Sequence, residues 1–425
     1  MSFTVSADNL AIPSLVEDAG TSAELASDNT NAIRCALASG LNVRLPAGDF
    51  CVSGGFPHSV LSQKLVGAGQ RQTRLHIADD FDTSTIAFSK LMPGCSIEGV
   101  GFYFRQPMHA GVKRSDLVEY PFAISSDDAN NTIIRDIMIM GGFDGISMRG
   151  SANGNCGTTI LSDISLGAFH RGLWLDVVRD TIYATNIHHY PFGATETGAF
   201  NGDLIRIFQD GCAEAIRCGL VEDLKIDNML CSGSRIIFDT SPLGPSSASL
   251  LNVTLDSTNA GLDIFDGAIT ATNLKKSRGA PDLGIRVYGG SFNVGVFTME
   301  GHEQEQAEAL LTVNGGYVSI DNGIVGQLGP ISNAIRQNGG ELRVSDSRFD
   351  VGLNQVRPAP VIKIAGGRVR LDNNTAKDSG SGAKNFIEIN NNERHYVVGN
   401  DAPGWVHCCV STAGTSAGLY LNNRT

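Results

Sequence analysis

No apolar stretch in this 425-residue sequence approaches the roughly 18 residues that a membrane-spanning helix needs. Residues 1–8 carry neither the basic stretch nor the apolar core of a secretory leader, so synthesis in a cytoplasm is expected. Basic side chains are the minority, 32 against 44 acidic, and the net charge of −12 is spread along the chain. That argues against nucleic acid, which wants a basic stripe, and makes a strongly acidic polysaccharide a natural partner only where a local basic patch serves it. The nine cysteines are odd in number and scattered, with no CxxC spacing, and they read as reduced thiols rather than a disulfide or metal framework. Aromatic residues are few (2 Trp, 8 Tyr, 19 Phe) beside 50 glycines, as suits slim strands joined by turns. Between about residues 262 and 390 no helix-period segment of any length intervenes, which disfavours leucine-rich, ankyrin and tetratricopeptide arrays.

What is present is a repeat. Gly289-Gly290, Gly315-Gly316, Gly339-Gly340 and Gly366-Gly367 follow apolar strands and recur at steps of 26, 24 and 27 residues. Each pair leads into a second short strand, as at Val318-Ser-Ile320, Leu342-Arg-Val344 and Val369-Arg-Leu371. A period of this size built from period-two strands marks a solenoid. The pattern predicts an all-β fold, a right-handed single-stranded parallel β-helix of about a dozen coils spaced about 4.8 Å apart. Its inward positions are expected at Ile86, Ile124, Ile146, Leu173, Ile205, Ile236, Leu262, Ile285, Leu311, Ile335, Ile362 and Ile387. Asp227, Asp256, Asp321, Asp346 and Asp372, each after a second strand, read as turn formers that tolerate left-handed backbone.

Residues 1–26 form a polar arm or docking segment. Ser27-Asp-Asn-Thr-Asn then offers caps to a short helix bearing Ile33, Ala36 and Leu37 and stopped by Gly40. Two strands follow around Pro46-Ala47-Gly48. Gly67-Ala-Gly69 stands alone, without the helix and acidic partner of a nucleotide loop. Asp28-Asn-Thr30-Asn-Ala32-Ile33, Gly40, Val43-Arg-Leu45-Pro46-Ala47-Gly48 and Leu65-Val66-Gly67-Ala-Gly69 resemble the N-terminal module of pectate-lyase-like β-helices. That module is common in tailspikes and other receptor-binding spikes of tailed bacteriophages and phage-like gene-transfer particles. Ala402-Pro403-Gly404-Trp405 and Ala413-Gly414-Thr415 resemble the short β-motif that closes many such chains and helps trimerise them. The resulting division is an arm at 1–26, the N-terminal module at 27–80, the β-helix at 81–400 and a C-terminal β-motif at 401–425, with Trp405 packing at the exit end.

The resemblance implies a homotrimeric spike made in a bacterial cytoplasm and assembled on the exterior of a phage or phage-like particle. It implies bacterial surface polysaccharide, capsule or O-antigen, as partner. Because the strands begin early, attachment through a separate adaptor protein is expected, with no membrane insertion and no cofactor.

Three long steps between coils predict inserted surface loops, near residues 105–120, 188–196 and 210–217. Alternation in Leu173-Trp174-Leu175-Asp176-Val177 turns Trp174 and Asp176 outward, and stacking brings Arg149, Arg206 and Phe208 onto the same side. An exposed indole beside guanidinium and carboxylate suits a sugar, so Arg149, Trp174, Asp176, His189, Tyr190, Glu196, Arg206 and Phe208 are the candidate carbohydrate-binding residues. The competing reading buries Trp174 under a loop or a neighbouring subunit. Farther along, Asp263/Phe265, Arg286/Tyr288, Arg336 and Lys363 form an outward ladder that serves either saccharide or a trimer interface.

The enzymatic alternative, a depolymerase, needs two carboxylates at defined separation, and Asp176, Glu196 and Asp203 are its candidates. Of the polygalacturonase motifs Asn-Thr-Asp, Asp-Asp, Gly-His-Gly and Arg-Ile-Lys, only Asp-Asp occurs here, at Asp79-Asp80 and Asp127-Asp128, which counts against that chemistry. A purely structural spike is the third reading. The run Met299-Glu300-Gly-His302-Glu303-Gln-Glu305 lacks zinc spacing and reads as a solvated loop, so no metal is expected.

Overall fold

The computed structural model describes residues 4–6, 28–107, 109–190, 202–208, 213–256, 260–277, 284–300, 309–328, 333–351, 359–377, 385–403, 405, 407–411, 419–421 and 423. The fold is an all-β parallel β-solenoid of about 12 turns. It resolves into two units, Met1–Leu230 with Ser241–Gly244, and Cys231–Thr240 with Pro245–Thr425.

The first unit opens on the helix Thr30–Ala38, which buries Thr30, Ala32, Ile33, Ala36 and Leu37. Asn29 holds the N-cap position but caps nothing with its side chain. Asp28 does that work, taking the Thr30 N–H at 2.9 Å and tying the helix start to the Ser53 hydroxyl at 2.6 Å. Gly40, at φ +76°, ends the helix by donating to the Leu37 carbonyl. Strands Asn42–Arg44 and Gly48–Val52 follow, and Thr4–Ser6 pairs in parallel with Asn42–Arg44.

One sheet of this unit stacks Ala87–Lys90, Phe122–Ser125, Asp144–Arg149, Arg171–Asp176 and Glu214–Cys218 in parallel. Ile124, Ile146, Leu173 and Ile216 fall in register with no exposed surface, as the alternating pattern requires. Two expected inward positions are corrected. Ile86 is 73% exposed, and Ser89 occupies the place opposite Ile124. Ile205 lies in a helix, Gly202–Ile207, and Ile216 takes its coil position. The run Asp203–Phe208 satisfies both periods, and Leu204, Ile207 and Phe208 are buried at helical spacing against Val112, Leu117 and Phe169.

In the second unit the inward column runs Ile236, Leu262, Ile285, Leu311, Ile335, Ile362 and Ile387 in unbroken register, and every member is buried. Cys409 continues it opposite Ile387. The Gly-Gly pairs turn the corner between sheets. Gly316 and Gly340 sit at φ +69° and +70°, and a Cβ on Gly340 would meet the Gly316 carbonyl oxygen at 2.4 Å. A side chain at such a corner is excluded twice, by backbone conformation and by the neighbouring coil. Left-handed backbone falls at Asp346 as expected, but after Asp227, Asp321 and Asp372 it falls on the asparagine that follows, at Asn228, Asn322 and Asn373. Buried Asn374 and Asn400 add a side-chain ladder, with the Asn374 amide donating to Asn400 at 2.9 Å and the Asn400 amide donating to Asn423 at 3.0 Å. Trp405 is buried beside Phe386, ring centroids 6.0 Å apart.

Candidate functional site

The site lies on the outer face of the first unit's five-strand stack. Leu173 and Leu175 point into the core, so Trp174 points out, in register with Ser147 on one side and Arg217 on the other. Its indole is half-buried, and what covers it is charge. The Arg149 guanidinium carbon stands 4.2 Å from the ring centroid and that of Arg171 stands 4.0 Å from it. Arg149 comes from the preceding coil, while Glu214 of the following coil draws Arg171 its way with a 3.2 Å hydrogen bond. The ring is therefore flanked on both sides, and the open indole face expected for sugar stacking is not there. Phe122 backs the cluster at 6.1 Å.

Carboxylates fix the guanidinia in place. Asp127 accepts the Arg149 backbone N–H at 2.9 Å, its Nη2 at 3.3 Å and the Ser147 hydroxyl at 2.7 Å. Glu214 also accepts Arg217 Nη1 at 2.8 Å. Arg149 and Asp127 border a cavity of about 430 Å³, which also presents Arg34, Asp82, Ile86 and Lys90. Aliphatic surface from Ile86 and charges of both signs thus meet in one concave place, the composition expected of a ligand site.

The candidate residues separate on burial. Arg149 and Trp174 belong to this cluster. Asp176 does not reach outward as a free carboxylate. Its Oδ1 takes the backbone N–H groups of Val177 at 2.9 Å and Leu220 at 3.1 Å, holding the turn where Gly219 leaves no room for a Cβ. His189 and Phe208 have no exposed surface and stack on each other at 5.0 Å, with Phe208 packed among Val112, Leu117 and Phe169. Both are corrected from glycan contact to core, since a ring without accessible surface cannot touch a polymer. Gly172 makes this possible, because a Cβ there would lie 2.5 Å from the His189 ring. Burial drops the His189 pKa to about 3. Tyr190 is partly buried edge-on to His188 at 5.9 Å. Arg206 is on the short helix near Asp203, which accepts the Gly111 N–H at 2.8 Å and so pins the first insertion to that helix. Glu196, like the 301–305 acidic run, lies outside the described residues.

Sequence reasoning missed Phe122, Asp127, Arg171, Glu214 and the cavity residues. Asp127 follows Phe122-Ala-Ile-Ser125 by the same two-residue step that puts Asp176 after Trp174, a register signal that alternation alone could have exposed. Arg171 and Glu214 pair only because an insertion separates two adjacent coils, and nothing local in the sequence announces that. In the second unit, Asp263 of the expected ladder is buried between Arg235 and Arg286, at 2.6 Å from each. Phe265 and Tyr288 remain outside it, stacked at 4.7 Å.

Asp28, Asp82, Asp116 and Asp263 are all held below the usual carboxylate range. Hydrogen bonds from the Ser84 side chain, then its backbone, lower Asp82, and the Lys113 backbone lowers Asp116. Burial works to raise Asp28 and Asp263, but hydrogen bonds from Ser53 and Thr30 to the first, and from Arg286 and Arg235 to the second, outweigh it. Among the described residues no three His, Cys, Asp or Glu side chains converge as metal ligands.

Solved structures share this architecture. The crystal structure of the pre-mature bacteriophage phi29 gene product 12 aligns with 98% of this chain at a TM-score of 0.66 and 15% identity. The fold is similar to that of phi29 gene product 12. The chain spans 58% of the length of that structure and 73% of an N-terminal fragment of the same protein, which aligns at a TM-score of 0.60 and 14% identity. A Streptomyces thermodiastaticus GH87 alpha-1,3-glucanase catalytic unit aligns at a TM-score of 0.48 and 13% identity, too distant to bear on function. No protein-family model and no curated relative matches the sequence. At these identities the likeness concerns the fold.

Proposed function

We propose that this chain is a spike of a phage or phage-like particle that binds bacterial surface polysaccharide through the outer face of its first unit. The observation that carries the reading is the Arg149–Trp174–Arg171 sandwich beside the cavity. Guanidinia held over a ring and tied to carboxylates are pre-ordered hydrogen-bond donors, and donors that need no ordering on binding lose little entropy there. Sugar hydroxyls and ring oxygens are the acceptors such donors fit. The fold shared with a bacteriophage protein supports placing the chain on a particle exterior, and the same reading takes it as a homotrimer held to the particle by an adaptor.

Binding without cleavage fits the electrostatics better than hydrolysis does. A glycosidase acid must keep its proton near neutral pH, which takes a raised pKa. Asp82 at the cavity is lowered instead, while Asp127 and Glu214 serve guanidinia. The test is binding of purified protein to host surface polysaccharide by wild type, Trp174→Ala and Tyr183→Ala. Removing the indole frees both guanidinia and is expected to weaken binding about tenfold or more, in line with loss of a central interface residue. Tyr183, exposed on the other sheet, serves as the control. Equal binding by all three proteins would contradict the assignment.

A further inference from the structure

We propose that the cavity and the strand column beside it select an anionic glycan, with Lys90 receiving the acidic substituent of a chain laid along the solenoid axis; this rests on the polysaccharide-binding reading above. The protein carries a net charge of −12, yet its cavity is lined by three cations, Arg34, Lys90 and Arg149, against two carboxylates, Asp82 and Asp127. Both carboxylates are committed. Asp127 is occupied by Ser147 and Arg149, and Asp82 Oδ1 accepts the Ser84 backbone and hydroxyl groups at 3.0 and 2.7 Å with Arg34 nearby. Lys90 is exposed, and among the described residues no carboxylate pairs with it.

A neutral sugar makes poor use of an unmatched ammonium, since its hydroxyls are served equally well by water. A carboxylate or phosphate gains a charge-assisted bond there, roughly twice as strong as a neutral one. Beyond a Debye length of roughly 8 Å the acidic remainder of the protein is screened, so the local surplus decides. The register supplies the direction. Lys90, Ser125, Ser147 and Trp174 hold the same position in four successive strands. Three inter-strand steps separate the Lys90 and Trp174 backbone positions by about 14 Å. An extended chain along this column meets Lys90 at one end and the Arg149–Trp174–Arg171 sandwich at the other.

The test is an array of bacterial capsular and O-chain polysaccharides of known repeat unit, carboxylated, phosphorylated and neutral, with each acidic polymer also printed after carboxyl reduction or dephosphorylation. Wild type, Lys90→Ala and Lys90→Glu are compared, with thermal melts verifying that the variants fold. Binding confined to acidic repeats is expected, falling on neutralisation, with about a tenfold loss for Lys90→Ala and a larger one for Lys90→Glu. The carboxylated and phosphorylated arms identify the acidic group. Neutral repeats bound as tightly, or Lys90 variants that bind like wild type, would overturn the anion selectivity and leave the polysaccharide reading standing. No binding to any polymer would overturn both.

Discussion

Trp174 shows what a single residue does in this protein. Two like-charged guanidinia share one indole, an arrangement that is stable because the ring face is negative and because Asp127 and Glu214 neutralise the far sides. Each cation–ring contact contributes about 0.5–2 kcal/mol depending on its exposure. Alternation along Leu173–Val177 was enough to turn Trp174 outward. It was not enough to foresee what covers it, because Arg171 and Glu214 are brought together across an insertion. His189 illustrates the opposite failure, a polar residue beside an inserted loop that sits wholly in the core. Burial lowers His58 to about 4 and His189 to about 3, from about 6.5. The unfolded chain takes up protons at these sites below about pH 6.5 while the folded core refuses them. Stability from this source is complete above pH 6.5 and is lost as the pH falls toward 4. The melting temperature is expected to drop between pH 6.5 and 4.5, and a His58→Gln/His189→Leu variant should show a flatter slope there. Parallel slopes would contradict the burial account.

At the scale of elements, the second unit was legible because each coil repeats the same solution. Apolar alternation marks the strand, and the left-handed glycine marks the corner. All seven expected inward positions from Ile236 to Ile387 fall into register. The first unit was legible until the insertions interrupted the period. There Asp203–Phe208 met helical and strand patterns alike, and tertiary packing against Phe169 and Val112 chose the helix. Gly340→Ala is expected to destabilise by about 1–3 kcal/mol or more, the cost of a strained backbone position, with the clash against Gly316 added. Denaturant unfolding measures this, and a change below a few tenths of a kcal/mol would mean that the corner can relax. Asn374→Leu removes the Oδ1 that accepts the Ser347 backbone N–H and the Nδ2 that donates to the Val344 carbonyl within the core. A loss of about 1–3 kcal/mol is expected for such buried, unsatisfied groups, read by the same unfolding curve.

For the molecule as a whole, repeat and composition carried the fold class, while the function rests on one face. The N-terminal and C-terminal motifs resemble those of phage spikes, and the likeness to phi29 gene product 12 agrees with them in fold. The ladder expected to serve saccharide or a subunit interface keeps its exposed Phe265–Tyr288 pair, whereas buried Asp263 has withdrawn from it. Sedimentation at micromolar concentration is expected to give a trimer, and a monomer would contradict that assembly. The most direct measurement incubates the purified protein with host capsule, recovers the complex and sizes the glycan. Binding by the guanidinium-flanked groove predicts that polysaccharide is retained with its length unchanged. Shortened polymer would contradict the account and make the chain a depolymerase.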